Sequence, residues 1–199
     1  MKSFLKLTTP AAVVAISTAN AKTHLRISHS DEDAVIDRYV AAATEYVERR
    51  TNRSLINATW TEFFSGFPAG EDEVLRLTKA PLVSVSTIKY YDSDDVQQTW
   101  HTDDYDVHSP RYLAGRVTVT PGYTWPNVRT DRPYPIQIEY LAGYGAAAVD
   151  IPQEILEAVY LVLDDFYRFR GASIPFAMSE AVAASLSRIL GAQATGVYL

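Results

Sequence analysis

Hydrophobic and polar positions follow two different periods along this chain. Between residues 33 and 51, and again between 152 and 169, apolar residues recur every three to four positions, which predicts amphipathic helices. From residue 55 the period changes toward two, in short runs rich in aromatic and β-branched residues, which predicts strands. The pattern therefore predicts an α+β protein with a β-rich middle between helical ends.

Capping signals locate the helix ends. A Ser or Thr before a short helix from Ala19 to Arg26 is placed to cap it, and Ser30 with Asp33 resembles a capping box for a second helix that ends near residue 51. Pro152 suits the first turn of a third helix that runs to about Phe169, and a last helix is predicted from residue 179 to residue 190. The predicted strands, separated by Gly, Pro and Asp, are 58–64, 74–77, 83–91, 96–100, 105–108, 116–120 and 136–141.

These changes in hydrophobic periodicity divide the chain into three parts. Residues 1–54 are predicted to be helical, residues 55–150 β-rich, and residues 151–199 helical with a small apolar tail. The first and third parts are predicted to pack together as one core, with the β-rich part as an insertion. Divided in this way, the net charge is +2, −6 and −2, so the acidic character falls on the middle part.

Composition excludes several classes of function. With no cysteine among 199 residues, the chain has no disulfide, iron–sulfur cluster, thiolate nucleophile or Cys-ligated zinc. The net charge of −6 argues against a surface that grips nucleic acid. No segment approaches the ~18 apolar residues that a membrane span needs. Lys2 and the apolar run from 11 to 16 imitate a secretory signal, but Pro10 and Lys6 interrupt it and ordinary structure is favoured.

One cluster of polar residues suggests metal chemistry. Strand alternation would place Asp104, Asp106 and His108 on one face, near His101 and Asp103, where they would suit a hard or borderline metal. A solvated hairpin is favoured, because a turn at residues 102–104 scatters these side chains. A metal- or ligand-binding β module centred on residues 101–108, acting as a metal-dependent enzyme, is kept as the alternative function. No nucleophile elbow or catalytic triad context accompanies it.

The order of motifs along the chain resembles one protein family. One hairpin departs from the pattern of that family, because this chain has Asp94-Asp95 where Asp-Gly is common. The motifs are Lys22-Thr-His-Leu-Arg-Ile27, Asp31-Glu-Asp33, Ala42-Ala-Thr-Glu-Tyr-Val-Glu48, Thr51-Asn-Arg-Ser-Leu-Ile56, Trp60, Pro81-Leu-Val-Ser-Val-Ser-Thr-Ile-Lys-Tyr-Tyr-Asp92, Gln98-Thr-Trp100, Tyr105-Asp-Val107, Trp125-Pro126, Glu139-Tyr-Leu-Ala-Gly-Tyr-Gly145, Ile151-Pro152 and Asp165-Phe-Tyr-Arg-Phe-Arg170. In this order they resemble the head–tail connector (adaptor) proteins of long-tailed bacteriophages and gene transfer agents.

The resemblance implies a structural virion protein with no enzymatic activity and no cofactor. Its expected form is a ring below the portal, with 12 copies, that joins the capsid to the tail-side head-completion (stopper) protein and lets DNA pass without specific binding. The expected location is the virion, assembled in the bacterial cytoplasm, with no membrane contact. In such a ring the helical parts form the connector core.

An almost wholly apolar third helix suits a heterologous ring contact. We therefore expect Leu156, Tyr160, Leu163 and Tyr167 to pack between subunits. We expect Val197, Tyr198 and Leu199, in the apolar tail, to dock into a portal groove.

Overall fold

The computed structural model describes residues 1–68, 74–110, 113–170 and 182–188. The chain divides into two compact units, each built from two separate stretches of sequence. The β unit contains Met1–Ala11 and Asn57–Tyr144, and the helical unit contains Ala12–Ile56 and Gly145–Leu199. No helix among the described residues is long and apolar enough to cross a membrane.

The β unit contains two antiparallel sheets. The first has five strands in the order β1-β2-β8-β4-β5, and the second has three in the order β3-β7-β6. The strands are β1 Ser3–Thr9, β2 Ala58–Phe64, β3 Leu75–Arg76, β4 Leu82–Tyr91, β5 Gln97–Thr99, β6 Tyr105–His108, β7 Arg116–Val119 and β8 Ile136–Ala142.

Strand register decides which face of the five-stranded sheet is buried. On β8, Ile136, Ile138, Tyr140 and Ala142 are all fully buried, whereas the alternate residues between them are only partly buried. Side chains two apart on a strand share a face, so one face of the sheet joins the core and the other is more polar. The core continues through residues of both sheets and the loops between them, including Phe64, Leu75, Leu77, Leu82, Ile88, Trp100, Tyr105 and Val117.

The helical unit contains three longer helices. These are α1 Thr18–Leu25, α2 Asp33–Thr51 and α3 Gln153–Arg168, and residues 182–188 are also helical. The principal contact is between α2 and α3, each of which buries its apolar face. The buried residues of these two helices are Ile36, Tyr39, Val40, Ala43, Val47, Ile155, Ala158, Val159, Val162, Leu163 and Phe166.

The predicted α+β class is confirmed, and most predicted elements lie within one or two residues of the observed ones. The second helix, however, does not begin with the predicted capping box. Its N-cap is Glu32, which makes no side-chain cap hydrogen bond. Asp33 instead accepts a hydrogen bond from Lys22 Nζ at 2.7 Å, so its carboxylate joins α2 to α1.

The first strand is missing from the sequence-based prediction. Residues 1–54 were all assigned to the helical part, but β1 pairs with β2 from Ser3↔Phe64 to Thr9↔Thr59, inside the β unit. This placement also changes the charge distribution, because Lys2 and Lys6 join the β unit and Asp150 leaves it. Each unit then carries nine Lys and Arg against twelve Asp and Glu by sequence, a net charge of −3 in both.

Candidate subunit interface

Helix α3 presents two kinds of apolar surface. One face, which includes Ile155, Val159 and Val162, is fully buried within the helical unit. The other carries the half-buried apolar residues Leu156, Tyr160 and Tyr167, beside exposed Glu154, Glu157 and Arg168. A helix with a broad buried face and a second, partly open apolar strip has surface left for a partner to cover.

Tyr160 is held in place by an aromatic contact. Its ring stacks on the imidazole of His24, from the last turn of α1, with 4.6 Å between ring centroids and 28° between planes. Burial and the nearby carboxylate of Glu157 raise the pKa of the Tyr160 hydroxyl above its ordinary value, which already lies well above neutral pH. This half of the strip is therefore flat, aromatic and uncharged.

Tyr167 belongs to a polar cluster where α2 begins. Its hydroxyl donates a hydrogen bond to Glu32 Oε2 at 2.5 Å, and Arg170 donates to Glu32 Oε1 at 2.6 Å. The guanidinium of Arg170 also lies over the Tyr167 ring, 4.7 Å from its centroid. These donors lower the pKa of Glu32, the Tyr167 bond being the largest cause, and the same bond raises the pKa of Tyr167. The cluster fixes the C-terminal end of α3 against the start of α2.

A cleft of about 510 Å³ lies between α1 and α3. Its charged walls come from Arg26, Asp164 and Arg168, and Asp164 already accepts a 2.9 Å hydrogen bond from Arg168 Nε. The remaining lining residues are His24, Leu25, Leu161 and Tyr167. With both apolar and paired charged walls, the cleft extends the open strip of α3 toward the end of α1.

The predicted interface residues do not form a single surface. Leu156, Tyr160 and Tyr167 are half-buried, but Leu163 is 0% exposed and lies in the interior of the helical unit. Leu163 follows Leu156 by seven residues, nearly two full turns, so it lies on almost the same side of α3, but its own chain covers it completely. The residues predicted to dock on the portal, Val197, Tyr198 and Leu199, lie outside the described residues.

The metal alternative receives no support from the described part of the chain. There, no group of three or more His, Cys, Asp or Glu side chains is arranged to hold a metal ion. His101 Nδ1 accepts a hydrogen bond from the backbone of Asp103, and His108 Nε2 is 3.0 Å from Thr118 Oγ1 on the neighbouring strand. Residues Thr102–Asp104 form a short 3-10 turn, at the position where the sequence predicts a turn.

A buried polar network in the β unit was not predicted from the sequence. Glu62 is fully buried, and its carboxylate accepts hydrogen bonds from Thr78 N at 2.8 Å, Thr78 Oγ1 at 2.6 Å and Tyr140 Oη at 3.1 Å. The Tyr140 hydroxyl accepts one from Lys79 N at 3.2 Å. One sequence feature indicates this network: the alternation of β2 places Glu62 on the core face beside Phe64. An acidic residue buried there requires hydrogen-bonding partners.

Residues 16–110 match the model of the phage gp6-like head-tail connector protein family. This match covers α1, α2 and strands β2 to β6. The matched family is a class of structural connector proteins rather than of enzymes. Among functionally curated proteins, none matches the chain in sequence.

Solved structures extend the fold comparison to nearly the whole chain. A chain from the neck of an empty GTA particle, computed with C6 symmetry, aligns with a TM-score of 0.75 at 23% identity, over 94% of both chains. A chain from the virion of a native gene transfer agent particle aligns with a TM-score of 0.75 at 24% identity, over 93% of this chain and 94% of that one. A chain from the neck of a native GTA particle, computed with C12 symmetry, gives a TM-score of 0.69 at 23% identity. The fold of this protein is that of these neck and virion chains, and over residues 16–110 its predicted resemblance to the head–tail connector proteins is confirmed.

Proposed function

We propose that this protein is a ring-forming head–tail connector that joins the capsid of a phage-like particle to its tail and lets DNA pass. The observation that carries the proposal is the agreement of two comparisons, a connector-family match over residues 16–110 and a neck-protein fold over 94% of the chain. The proposed partners are a portal protein on the head side and a stopper protein on the tail side. Its proposed location is the virion, with assembly in the bacterial cytoplasm.

The proposed ring has twelve copies. A similar fold occurs in a neck computed with C12 symmetry, which supports this number. A closed ring uses a heterologous contact, in which each copy offers two different surfaces to its neighbours. The open strip of α3, formed by Leu156, Tyr160 and Tyr167, is the proposed first surface in the helical unit. Leu163 is left out of it because its side chain is already buried within one chain.

The test compares two substitutions on α3, one in the open strip and one in the interior, with a control substitution outside the helix. Leu156→Glu places a charge in the open strip without touching a hydrogen bond of the Tyr167 cluster, and we expect it to abolish ring assembly. Val149→Glu adds the same charge at a residue that is 83% exposed outside the strip and should assemble normally. Leu163→Ala truncates an interior side chain, so it should lower the free energy of unfolding by about 2–5 kcal/mol. This variant tests the stability of the helical unit and not the interface.

Assembly would be measured by sedimentation velocity and by electron microscopy, with and without the portal protein. Circular dichroism would establish that each variant is folded. Rings formed by Leu156→Glu at the wild-type concentration would exclude the α3 strip from the interface. A wild-type chain that neither assembles nor binds the portal would refute the connector function itself.

DNA passage through the ring requires that the protein not hold the DNA. Tight binding of DNA depends on neutralising its phosphates, and both units carry a net charge of −3. We expect no shift of duplex DNA by the assembled ring even at 50 mM salt. Salt-dependent binding there would contradict a passive channel.

A further inference from the structure

Four strands of the β unit lie at a sheet edge, β1 and β5 in one sheet and β3 and β6 in the other, and two of these, β1 and β6, differ in charge. Strand β1 pairs only with β2, and β6 pairs only with β7, so within the described ranges neither has a strand on its other side. An open edge presents unpaired N–H and C=O groups that can hydrogen-bond a strand of another chain. Each edge is therefore a place where a second chain can extend the sheet.

The β1 edge is basic and partly apolar. Residues 1–11 contain Lys2 and Lys6 and no acidic residue. Lys6 is exposed and lies opposite Thr61 of β2, and no ion pair joins it to another described residue. Phe4 and Leu7 remain 45% and 44% exposed, so the edge also has apolar surface to bury.

The β6 edge is acidic. Residues 101–108 contain Asp103, Asp104 and Asp106 and no Lys or Arg. Asp106 is exposed and opposite Thr118, and its Oδ2 accepts a weak hydrogen bond from Thr120 Oγ1 at 3.3 Å. The nearest basic residue in this sheet is Arg116 on β7, which pairs with His108. The next is Arg76 on β3, which pairs with Arg116. Val107 adds exposed apolar area at the same edge.

We propose that the β1 edge of one copy docks on the β6 edge of the next copy, so that the two sheets are joined across the ring. This inference rests on the proposed ring and names the surfaces of its β units. Lys6 would lie opposite or diagonal to Asp106 on β6, with Asp104 in the turn just before that strand. Backbone hydrogen bonds supply the contact, and the charges select which edges meet.

The charges also disfavour the pairing of each edge with its own kind. A β1 edge that met another β1 edge would bring lysines together, and two β6 edges would bring aspartates together. Because like charges repel, each edge is protected from pairing with the same edge of a second copy. The β1 edge of one copy therefore pairs more favourably with the β6 edge of another. The resulting contact is heterologous, which is the type that closes a ring.

The test uses the absence of cysteine from the chain. Two single-cysteine variants are prepared as full chains, Lys6→Cys and Asp106→Cys, and are oxidised alone or in an equimolar mixture with the portal protein present. A disulfide forms only when the two Cα atoms lie about 4.4–6.8 Å apart. We expect a disulfide-linked dimer in the mixture and none in either variant alone. Lys89→Cys mixed with Asp106→Cys is the matched control and should give none.

Charge reversal gives a second, independent readout. Lys6→Glu and Asp106→Lys should each weaken assembly by about two- to tenfold per contact, and the double variant should recover most of the loss. Oligomers that form with no crosslink in the mixture would overturn the edge contact and leave the connector function intact. Dimers of Lys6→Cys alone would also overturn it, because they indicate an isologous contact. A chain that forms no oligomer, with or without the portal protein, would overturn both the connector function and this contact.

Discussion

Tyr140→Phe isolates the buried polar network of the β unit. The substitution keeps the ring in the core and removes only the hydroxyl, which donates to Glu62 Oε2 and accepts from Lys79 N. Glu62 keeps its two bonds from Thr78 but loses the Tyr140 hydroxyl, and the Lys79 N–H loses the Tyr140 oxygen as an acceptor. Because losing a partner costs a buried polar group about 1–3 kcal/mol, we expect the free energy of unfolding to fall by that amount at neutral pH.

The same substitution changes the response to alkali. Burial and the nearby Glu62 carboxylate raise the pKa of Tyr140 well above its ordinary value of 10.0. The unfolded chain then loses this proton near pH 10 while the folded chain keeps it. The contribution of Tyr140 to stability is therefore fully present below pH 10 and is lost as pH rises above it. The difference between wild type and Tyr140→Phe should shrink by about 1.4 kcal/mol between pH 9 and pH 11.

Tryptophan fluorescence reports on the β unit alone, because all three tryptophans, Trp60, Trp100 and Trp125, lie within it. Urea unfolding followed in this way at pH 7, 9 and 11 gives the two free energies that the comparison needs. Tyr123→Phe, at a tyrosine that is 53% exposed, is the matched control and should stay within about 0.5 kcal/mol of wild type. A Tyr140→Phe variant as stable as wild type at pH 7, or a difference unchanged from pH 9 to pH 11, would refute the reasoning.

Two further substitutions test backbone geometry and the Glu32 cluster. Gly143 has φ of +153°, and an added Cβ would lie 2.5 Å from Asn57 N, so Gly143→Ala should destabilise the β unit by about 2 kcal/mol or more in the same urea assay. Gly66→Ala, where an added Cβ meets nothing within 4 Å, should be nearly neutral and serves as its control. Tyr167→Phe removes the largest cause of the lowered pKa of Glu32, so that pKa should rise toward 4.5 in an NMR titration. Stability linked to Glu32 is present above its pKa in the unfolded chain and is lost as pH falls through its pKa in the folded chain. The variant should therefore lose less stability in acid than the wild type. An unchanged Glu32 titration would contradict this.

Periodicity predicted the elements because most of them bury one regular face. Strands β2 and β6 have the predicted bounds, and α2 ends at the predicted Thr51. Strand β1 was missed because, apart from Leu5, its residues are exposed and its pairing partner lies more than fifty residues away. An edge strand with little buried surface has a weak local pattern, and only the register with β2 identifies it.

The candidate interface shows where local pattern fails for a different reason. Leu156 and Leu163 are alike in sequence terms, since both are leucines of one apolar helix and lie seven residues apart. The structure separates them because the chain itself covers Leu163 completely and leaves Leu156 half-buried. Apolar spacing predicts that a residue will be covered but does not say whether its own chain or a neighbour covers it.

Net charge, like apolar spacing, does not identify the surface through which copies meet. Each unit has a net charge of −3, so the overall field of one copy repels the next and does not bring copies together. Attraction between copies must then come from local surfaces whose composition differs from the average. Surface charges more than about 8 Å apart are largely screened at physiological salt, whereas a lysine in contact with aspartates is screened less. Residues 1–11 depart from the average, because they carry two lysines and no acidic residue, beside exposed Phe4 and Leu7. This local composition makes the β1 edge suited to a contact that the total charge alone would oppose.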